Sequence, residues 1–197
     1  MKEPDAGSAV PPHQDWTYVD ESRFSSMNVW MALEDMTIDK GCLWIIPRSH
    51  RIGNFLRPAP SYPWPFSNIS SFIERFKKPV LLKAGECVCF NNKLIHGSYP
   101  NKGGSYRLAV VTTVYPQEAH LLHYYVDDTS RNDSATEYAI EKKVFLTMPR
   151  GMPPSRFFNS KKVHLSFPTY TRTDFCTELF RLCLSDMLHI SFSKRDK

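Results

Sequence analysis

Punctuation constrains this chain more than any other feature of its sequence. Turn and breaker residues return before any early apolar run grows long enough to make a helix. Asp39-Lys40-Gly41 precedes Cys42-Leu43-Trp44-Ile45-Ile46, which Pro47 stops, and Ala84-Gly85 separates Pro79 to Lys83 from Glu86 to Phe90. Asn101-Lys102-Gly103-Gly104 is a hairpin signal leading into the β-branched run Tyr106 to Tyr115, which Pro116 ends. With residues 26–34 and the segment around His13, these read as short strands joined by turns, the pattern of an all-β sandwich or barrel.

After Pro116 the pattern weakens. Residues 134–146 are expected to be helical, 150–162 to form a linker or extended arm, and 174–190 to be a helix capped by Asp174. The domain expectation is a jelly-roll unit over 1–150 followed by an extension over 151–197. At 197 residues, 42% hydrophobic and 23% charged, the chain has ordinary globular balance. Its apolar runs fall short of the ~20 residues that span a bilayer. The acidic Met1-Lys2-Glu3-Pro4-Asp5 start lacks the apolar stretch of a secretory leader. Twenty-five basic against 20 acidic residues give a net charge of +5. Much of the excess lies in Lys161-Lys162 and Lys194-Arg195-Asp196-Lys197. The charge balance alone suggests mild affinity for anionic ligands, and without a nucleic-acid reading module no nucleic acid and no membrane span are expected. An odd number of cysteines, 5, suits a reducing, cytoplasmic setting.

Three places carry chemistry. In His13-Gln14-Asp15, strand geometry turns residues i and i+2 to one face, so an imidazole and a carboxylate converge. A distal His96, in Ile95-His96-Gly97-Ser98, would complete a two-histidine, one-carboxylate set with open coordination positions. Arg107, just beyond the Asn101–Gly104 turn, offers a planar fork for a carboxylate ligand. Taken singly, each has a plain reading as a polar pair, a satisfied histidine or a strand arginine.

Taken together and in order, His13-x-Asp15, Gly41-Cys42-Leu43-Trp44-Ile45-Ile46-Pro47-Arg48-Ser49-His50, Gly85-Glu86, His96-Gly97-Ser98 and Arg107 resemble the phytanoyl-CoA dioxygenase family of Fe(II)- and 2-oxoglutarate-dependent oxygenases. The resemblance runs from about Lys2 to Tyr115. It implies a mainly β fold with a double-stranded β-helix (jelly roll, cupin-like) core and a helical C-terminal tail. Because His13 comes so early, the N-terminal strand of that core is expected to be missing, leaving an open sheet edge. The implied metal ligands are His13, Asp15 and His96. Arg107, helped by Ser98, would hold the far carboxylate of the cosubstrate 2-oxoglutarate, with Trp30 packed against it and Lys2 as a further basic residue. The implied reaction consumes O2 and 2-oxoglutarate, gives succinate and CO2, and hydroxylates a small organic or lipid-like substrate. Asp15 bears on that outcome, since Gly or Ala there would leave room for halide. One departure stands out: the family usually has glycine where this chain has Arg48.

Other residues divide between pocket and packing. Gln14, Trp16, Tyr18 and Asn91 are candidates to face substrate, and the Pro-aromatic loop 57–66 is a candidate lid. Cys87 and Cys89 share a strand face and are expected to be buried. His120 and His123, three apart, could share a helix face, but beside Tyr124 and Tyr125 they are expected at a wet pocket edge or in the core. Two other function classes remain open: a catalytically inactive jelly-roll protein acting as a binding or scaffold module, and a cupin-like hydrolase or isomerase with a divalent metal, which leaves Arg107 without a task.

Overall fold

The computed structural model of the protein describes residues 1–59, 64–126, 133–149, 151–166 and 168–193, with side chains as far as Leu182. The middle of the candidate lid, Arg150 and the Lys194–Lys197 basic tail lie outside the described residues.

The strands are β1 (Val10–His13), β2 (Met27–Ala32), β3 (Leu43–Ile45), β4 (Lys78–Pro79), β5 (Cys87–Asn91), β6 (His96–Ser98), β7 (Ala109–Val114), β8 (Leu121–Tyr125), β9 (Ser134–Ile140) and β10 (Asn159–His164). The helices are α1 (Ser70–Ile73), α2 (Lys142–Thr147) and α3 (Arg172–Ser193). One sheet runs β1-β6-β3-β4 and a second β5-β2-β7, with antiparallel pairing throughout. Apart from the neighbours β3 and β4, successive strands from β1 to β7 alternate between these sheets, which is the winding of a jelly roll. Their inner faces meet in a core of Trp30, Ala32, Leu43 and Phe90, flanked by Ile45, Val88 and Ala109. The early punctuation therefore located most of the strands, although the run expected over Pro79 to Lys83 is strand only at its start, in β4. His96, expected between a strand and a hairpin, is itself the first residue of β6.

β1 lies at the edge of its sheet, which explains how it tolerates Pro11 and Pro12: an edge strand has a row of backbone groups that need no ladder partner. The outer face of the same sheet is closed by residues of the 49–59 and 64–76 stretches and of α3. Trp44 and Ile46 pack there with Ile52, Phe66, Ile73 and Phe175. α3 starts at Arg172, and Asp174 is not its first cap. The Asp174 N–H donates to Thr171 Oγ1 at 3.2 Å while its carboxylate accepts from the Thr171 N–H at 2.9 Å, a reciprocal capping box.

Past Pro116 the sequence reading needs correction. Residues 134–140 form β9, not helix, and only the short α2 follows. Asn159–His164, at the end of the stretch expected to be a linker or extended arm over 150–162, is extended and pairs with Ser134 to Ala139, and β8 flanks β9 on the other side. β10 pairs with β9 from Ser134 to Ala139 and β8 from Thr136 to Ile140, and that pairing outweighs weak local helical preference. His123 consequently sits on a strand, buried, with Nε2 3.0 Å from the Met152 carbonyl, whereas His120 is exposed. Burial holds its imidazole below the ordinary pKa. Cys87 and Cys89 are exposed rather than buried. They lie on the outer face of β5-β2-β7 with Met27, Met31 and Val110, where among the described residues no element covers the sheet. No described helix is long and apolar enough to cross a membrane.

Arg48 is the one non-glycine with positive φ among the described residues, at φ 70° and ψ −9°, on the turn between β3 and the Ser49–Arg51 helical turn. A left-handed backbone at a residue with Cβ costs about 1–2 kcal/mol, part of which a glycine returns as unfolded-state entropy. Arg48→Gly is expected to raise the free energy of unfolding by about 1 kcal/mol, whereas Arg48→Ala, which keeps the Cβ, is not. Urea denaturation midpoints of the two variants check this, and equal shifts would show that the turn carries no backbone strain.

Candidate metal centre and anion pocket

β1 and β6 pair so that His13 stands directly opposite His96. Their rings lie 4.2 Å apart between centroids. Asp15 follows just beyond the end of β1. His13 Nε2 is 4.0 Å from Asp15 Oδ1, and His96 Nε2 is 3.7 Å from Asp15 Oδ2. One ligand atom from each of the three falls within 4.8 Å of the others.

The ring orientations are set by the same device twice. His13 Nδ1 is 2.9 Å from the Pro11 carbonyl, and His96 Nδ1 is 2.9 Å from the Leu94 carbonyl. A carbonyl oxygen only accepts, so each Nδ1 carries a proton, which in the neutral ring leaves Nε2, on the Asp15 side, as the ligating nitrogen. Burial holds the His96 imidazole below its ordinary pKa despite the pull of the Asp15 charge, and His13 adds to the lowering. The neutral imidazole is the ligating form. Gly97 is required for this register. A Cβ there would overlap the Trp44 indole and the Val10 carbonyl oxygen on the two neighbouring strands.

Asp15 has its own supports. Asn28 Nδ2 donates to Asp15 Oδ2 at 2.6 Å, and the Thr113 hydroxyl donates to Asn28 Oδ1 at 2.7 Å, which fixes the amide's direction. Sequence reasoning did not single out Asn28, although its place two residues before Trp30 on β2 puts it on the same inward face. Gln14, expected to face substrate, is instead buried: it donates to the Lys93 carbonyl at 2.6 Å and accepts from Trp64 Nε1 at 3.2 Å. Asn91 turns to the outer side of β5, opposite Phe90, and caps the Lys93 N–H at 2.8 Å. Trp16 packs edge-on to His123 and Tyr18 edge-on to Phe145.

A second group of residues gathers beside the three. Arg107 lies with its guanidinium 5.1 Å from the centre of the Trp30 ring and donates to the Gly41 carbonyl at 2.9 Å. Its Nε–H is buried and has no hydrogen-bond partner. Lys2 is bridged to Arg107 through backbone hydrogen bonds in both directions at 2.9 Å, and its ammonium donates to Ser98 Oγ and to the Tyr99 carbonyl, both at 2.5 Å. Burial, with the nearby Arg107 charge, lowers the Lys2 pKa to about 8. Two adjacent cations, a hydroxyl and an orphaned N–H make a cradle for an anion with at least two acceptor oxygens. The donor sets thus fit both groups that the sequence implies. Two neutral Nε2 atoms and a carboxylate suit a divalent iron with open positions, and the cation pocket suits a carboxylate.

Comparison with known proteins gives a consistent picture. Residues 1–109 match the family description of phytanoyl-CoA dioxygenase (PhyH). The chain is similar to phytanoyl-CoA dioxygenase 1 of Oryza sativa subsp. japonica, 30% identical over 156 residues, which are 73% of this chain and 48% of that protein. It is 34% identical over 121 residues to a phytanoyl-CoA dioxygenase of Arabidopsis thaliana, covering 55% of this chain and 39% of that one. The chain therefore spans about half the length of the curated relatives it matches, or less. Among solved structures, the epimerase SnoN in complex with Fe3+, alpha ketoglutarate and nogalamycin RO superposes with a TM-score of 0.48 at 22% identity, covering 61% of this chain and 48% of that one.

The tight seat of Gly97 yields a direct expectation. Gly97→Ala must push β6 away from β1 or displace Trp44, and overpacking of this kind costs about 1–3 kcal/mol. A lower urea midpoint of the metal-free protein, without change in slope, is the expected result; an unchanged midpoint would show that the strands reseat freely.

Proposed function

Because the chain belongs to the phytanoyl-CoA dioxygenase family, we propose that it is an Fe(II)- and 2-oxoglutarate-dependent dioxygenase that hydroxylates a small organic or lipid-like substrate. The observation that carries this reading is the convergence of two Nε2 lone pairs and the Asp15 carboxylate beside an arginine whose buried Nε–H lacks a partner.

In this reading His13, Asp15 and His96 hold the iron. Their Nδ1–H bonds to main-chain carbonyls keep both imidazoles in the ligating tautomer, so little reorganisation accompanies metal entry. Asn28 occupies part of the Asp15 carboxylate, which favours ligation through one oxygen and keeps coordination positions open. When bound, the iron supplies the redox chemistry that converts O2 and 2-oxoglutarate to succinate and CO2 and delivers one oxygen atom to the substrate. Arg107, over the Trp30 ring, receives the far carboxylate of 2-oxoglutarate on its free edge. Lys2 and Ser98 complete that contact from the other side. The low exposure of His96, Ser98, Trp30 and Lys2 keeps water from competing for these charges.

Removing one member of a buried charge pair costs about 2–5 kcal/mol, and each decade of affinity is about 1.4 kcal/mol. Arg107→Ala is therefore expected to raise the 2-oxoglutarate Kd of Mn(II)-loaded protein at least tenfold. Arg107→Lys recovers part of it, and Mn(II) affinity without cosubstrate stays unchanged. Isothermal titration decides the matter: an unaltered 2-oxoglutarate Kd in Arg107→Ala removes the arginine from the site. Turnover measured as succinate release should vanish in His13→Ala, Asp15→Ala and His96→Ala.

Lys2 gives a pH signature. With a pKa of about 8, its charge is present below that value and is lost as pH rises through it. Cosubstrate affinity should accordingly fall above about pH 8, and Lys2→Met should abolish this dependence while lowering affinity at pH 7. A profile flat from pH 7 to 9 in the unmodified protein would exclude Lys2 from the anion contact.

A further inference from the structure

Asp15 is the one member of the three that no ladder holds. β1 ends at His13, and His96 is inside β6, but Asp15 lies in irregular chain beyond the strand end. Its main-chain groups are secured by distant parts of the sequence instead. The Asp15 N–H donates to the Asn92 carbonyl at 3.0 Å, and the Asp15 carbonyl accepts from Arg57 Nε at 2.6 Å.

Arg57 is well suited to that second contact. Its side chain is 6% exposed, and Glu21, its partner, is 9% exposed. The guanidinium donates through both terminal nitrogens to the two Glu21 carboxylate oxygens, at 2.5 and 3.1 Å, and to the Phe55 carbonyl at 3.0 Å. The Arg57 main chain is locked to the same segment, accepting from the Thr17 N–H at 2.9 Å and donating to Thr17 Oγ1 at 3.1 Å. Every arm of a rigid fork is thus committed, and the fork cannot swing away from Asp15 without breaking the carboxylate pair. A buried ion pair is a poor device for stability alone, because desolvation offsets most of its attraction. Its worth here is directional.

We propose that Arg57, held in place by Glu21, is a positioning residue for the metal centre: it fixes the main chain of Asp15 and so sets how tightly His13, Asp15 and His96 hold a divalent ion. This rests on the reading of those three as metal ligands. Neither Arg57 nor Glu21 touches the ion, the cosubstrate cradle or the other two ligands, so the effect passes through Asp15. Lysine at 57 retains a charge for Glu21 but cannot reach Glu21, Phe55 and Asp15 together, since a single ammonium has no planar fork.

The test is Mn(II) binding followed by electron paramagnetic resonance, without cosubstrate, in the full chain and in Arg57→Lys, Glu21→Gln and Asp174→Ala. The last breaks the remote capping box of α3 and serves as a stability control. Loss of support behind a metal ligand typically costs about 10–100-fold in metal affinity. Arg57→Lys is expected to weaken Mn(II) at least tenfold and the milder, near-isosteric Glu21→Gln about threefold or more, while Asp174→Ala stays within twofold despite a lower Tm. The Co(II) ligand-field spectrum of Glu21→Gln should shift as well, which a loss of stability alone would not produce. Unchanged Mn(II) affinity in Arg57→Lys and Glu21→Gln, with normal uptake by the unmodified chain, overturns this inference alone. So does an equal loss in the Asp174→Ala control. An unmodified chain that takes up no Mn(II) overturns the metal-site reading and this inference with it.

Discussion

The antiparallel pairing of β1 with β6 is the constraint on which the rest of the site depends. It sets His13 against His96 across adjacent strands, and because side chains alternate along a strand, a slip of one residue would turn one of the two rings to the opposite face. Gly97 permits the fit, because a Cβ there would run into the Val10 carbonyl and the Trp44 indole and force the strands apart. The proline pair before His13 keeps β1 at the sheet edge, where the Pro11 carbonyl is free to accept from the His13 ring. From that pairing follow the tautomers of both rings, the convergence on Asp15 and the adjacency of Ser98 to Lys2.

Charge placement extends the same logic. The site puts two cations, Lys2 and Arg107, close enough that each is destabilised by burial and Lys2 also by its neighbour. Such an arrangement costs folding free energy unless an anion arrives, so ligand binding and stability are linked in this pocket. The Arg107 Nε–H, buried and unmatched, lies in the same pocket, where it is a donor available to an anion. Asp15 shows the opposite economy, with its main chain held by Asn92 and Arg57 and one carboxylate oxygen by Asn28.

Much of the fold up to Tyr115 was legible because its strands are short, β-branched and bounded by glycine, proline and aspartate. His13, Asp15, His96 and Arg107 were legible as chemistry only together, because they occur in one order that matches a family pattern, whereas each alone has a plain reading. What failed shares one physical cause, namely dependence on partners distant in sequence. β9 is a strand because β8 and β10 flank it, although its local composition does not demand this. Cys87 and Cys89 look like core residues by type, but the face they occupy is uncovered among the described residues. Gln14 and Arg57 engage partners that no spacing rule connects to them. Asn28 was within reach of strand periodicity, since Trp30 had already indicated which face of β2 points inward.

The central claim is that the three converged side chains and the neighbouring cation pocket together take up Fe(II) and 2-oxoglutarate at one place. Anaerobic addition of 2-oxoglutarate to Fe(II)-loaded protein tests this most directly, read as visible absorption. A weak metal-to-ligand charge-transfer band that requires both components, saturates at one equivalent of each per chain and is lost in Asp15→Ala is the predicted result. Absence of the band with Fe(II) demonstrably bound, or a band unaffected by Asp15→Ala, would contradict it.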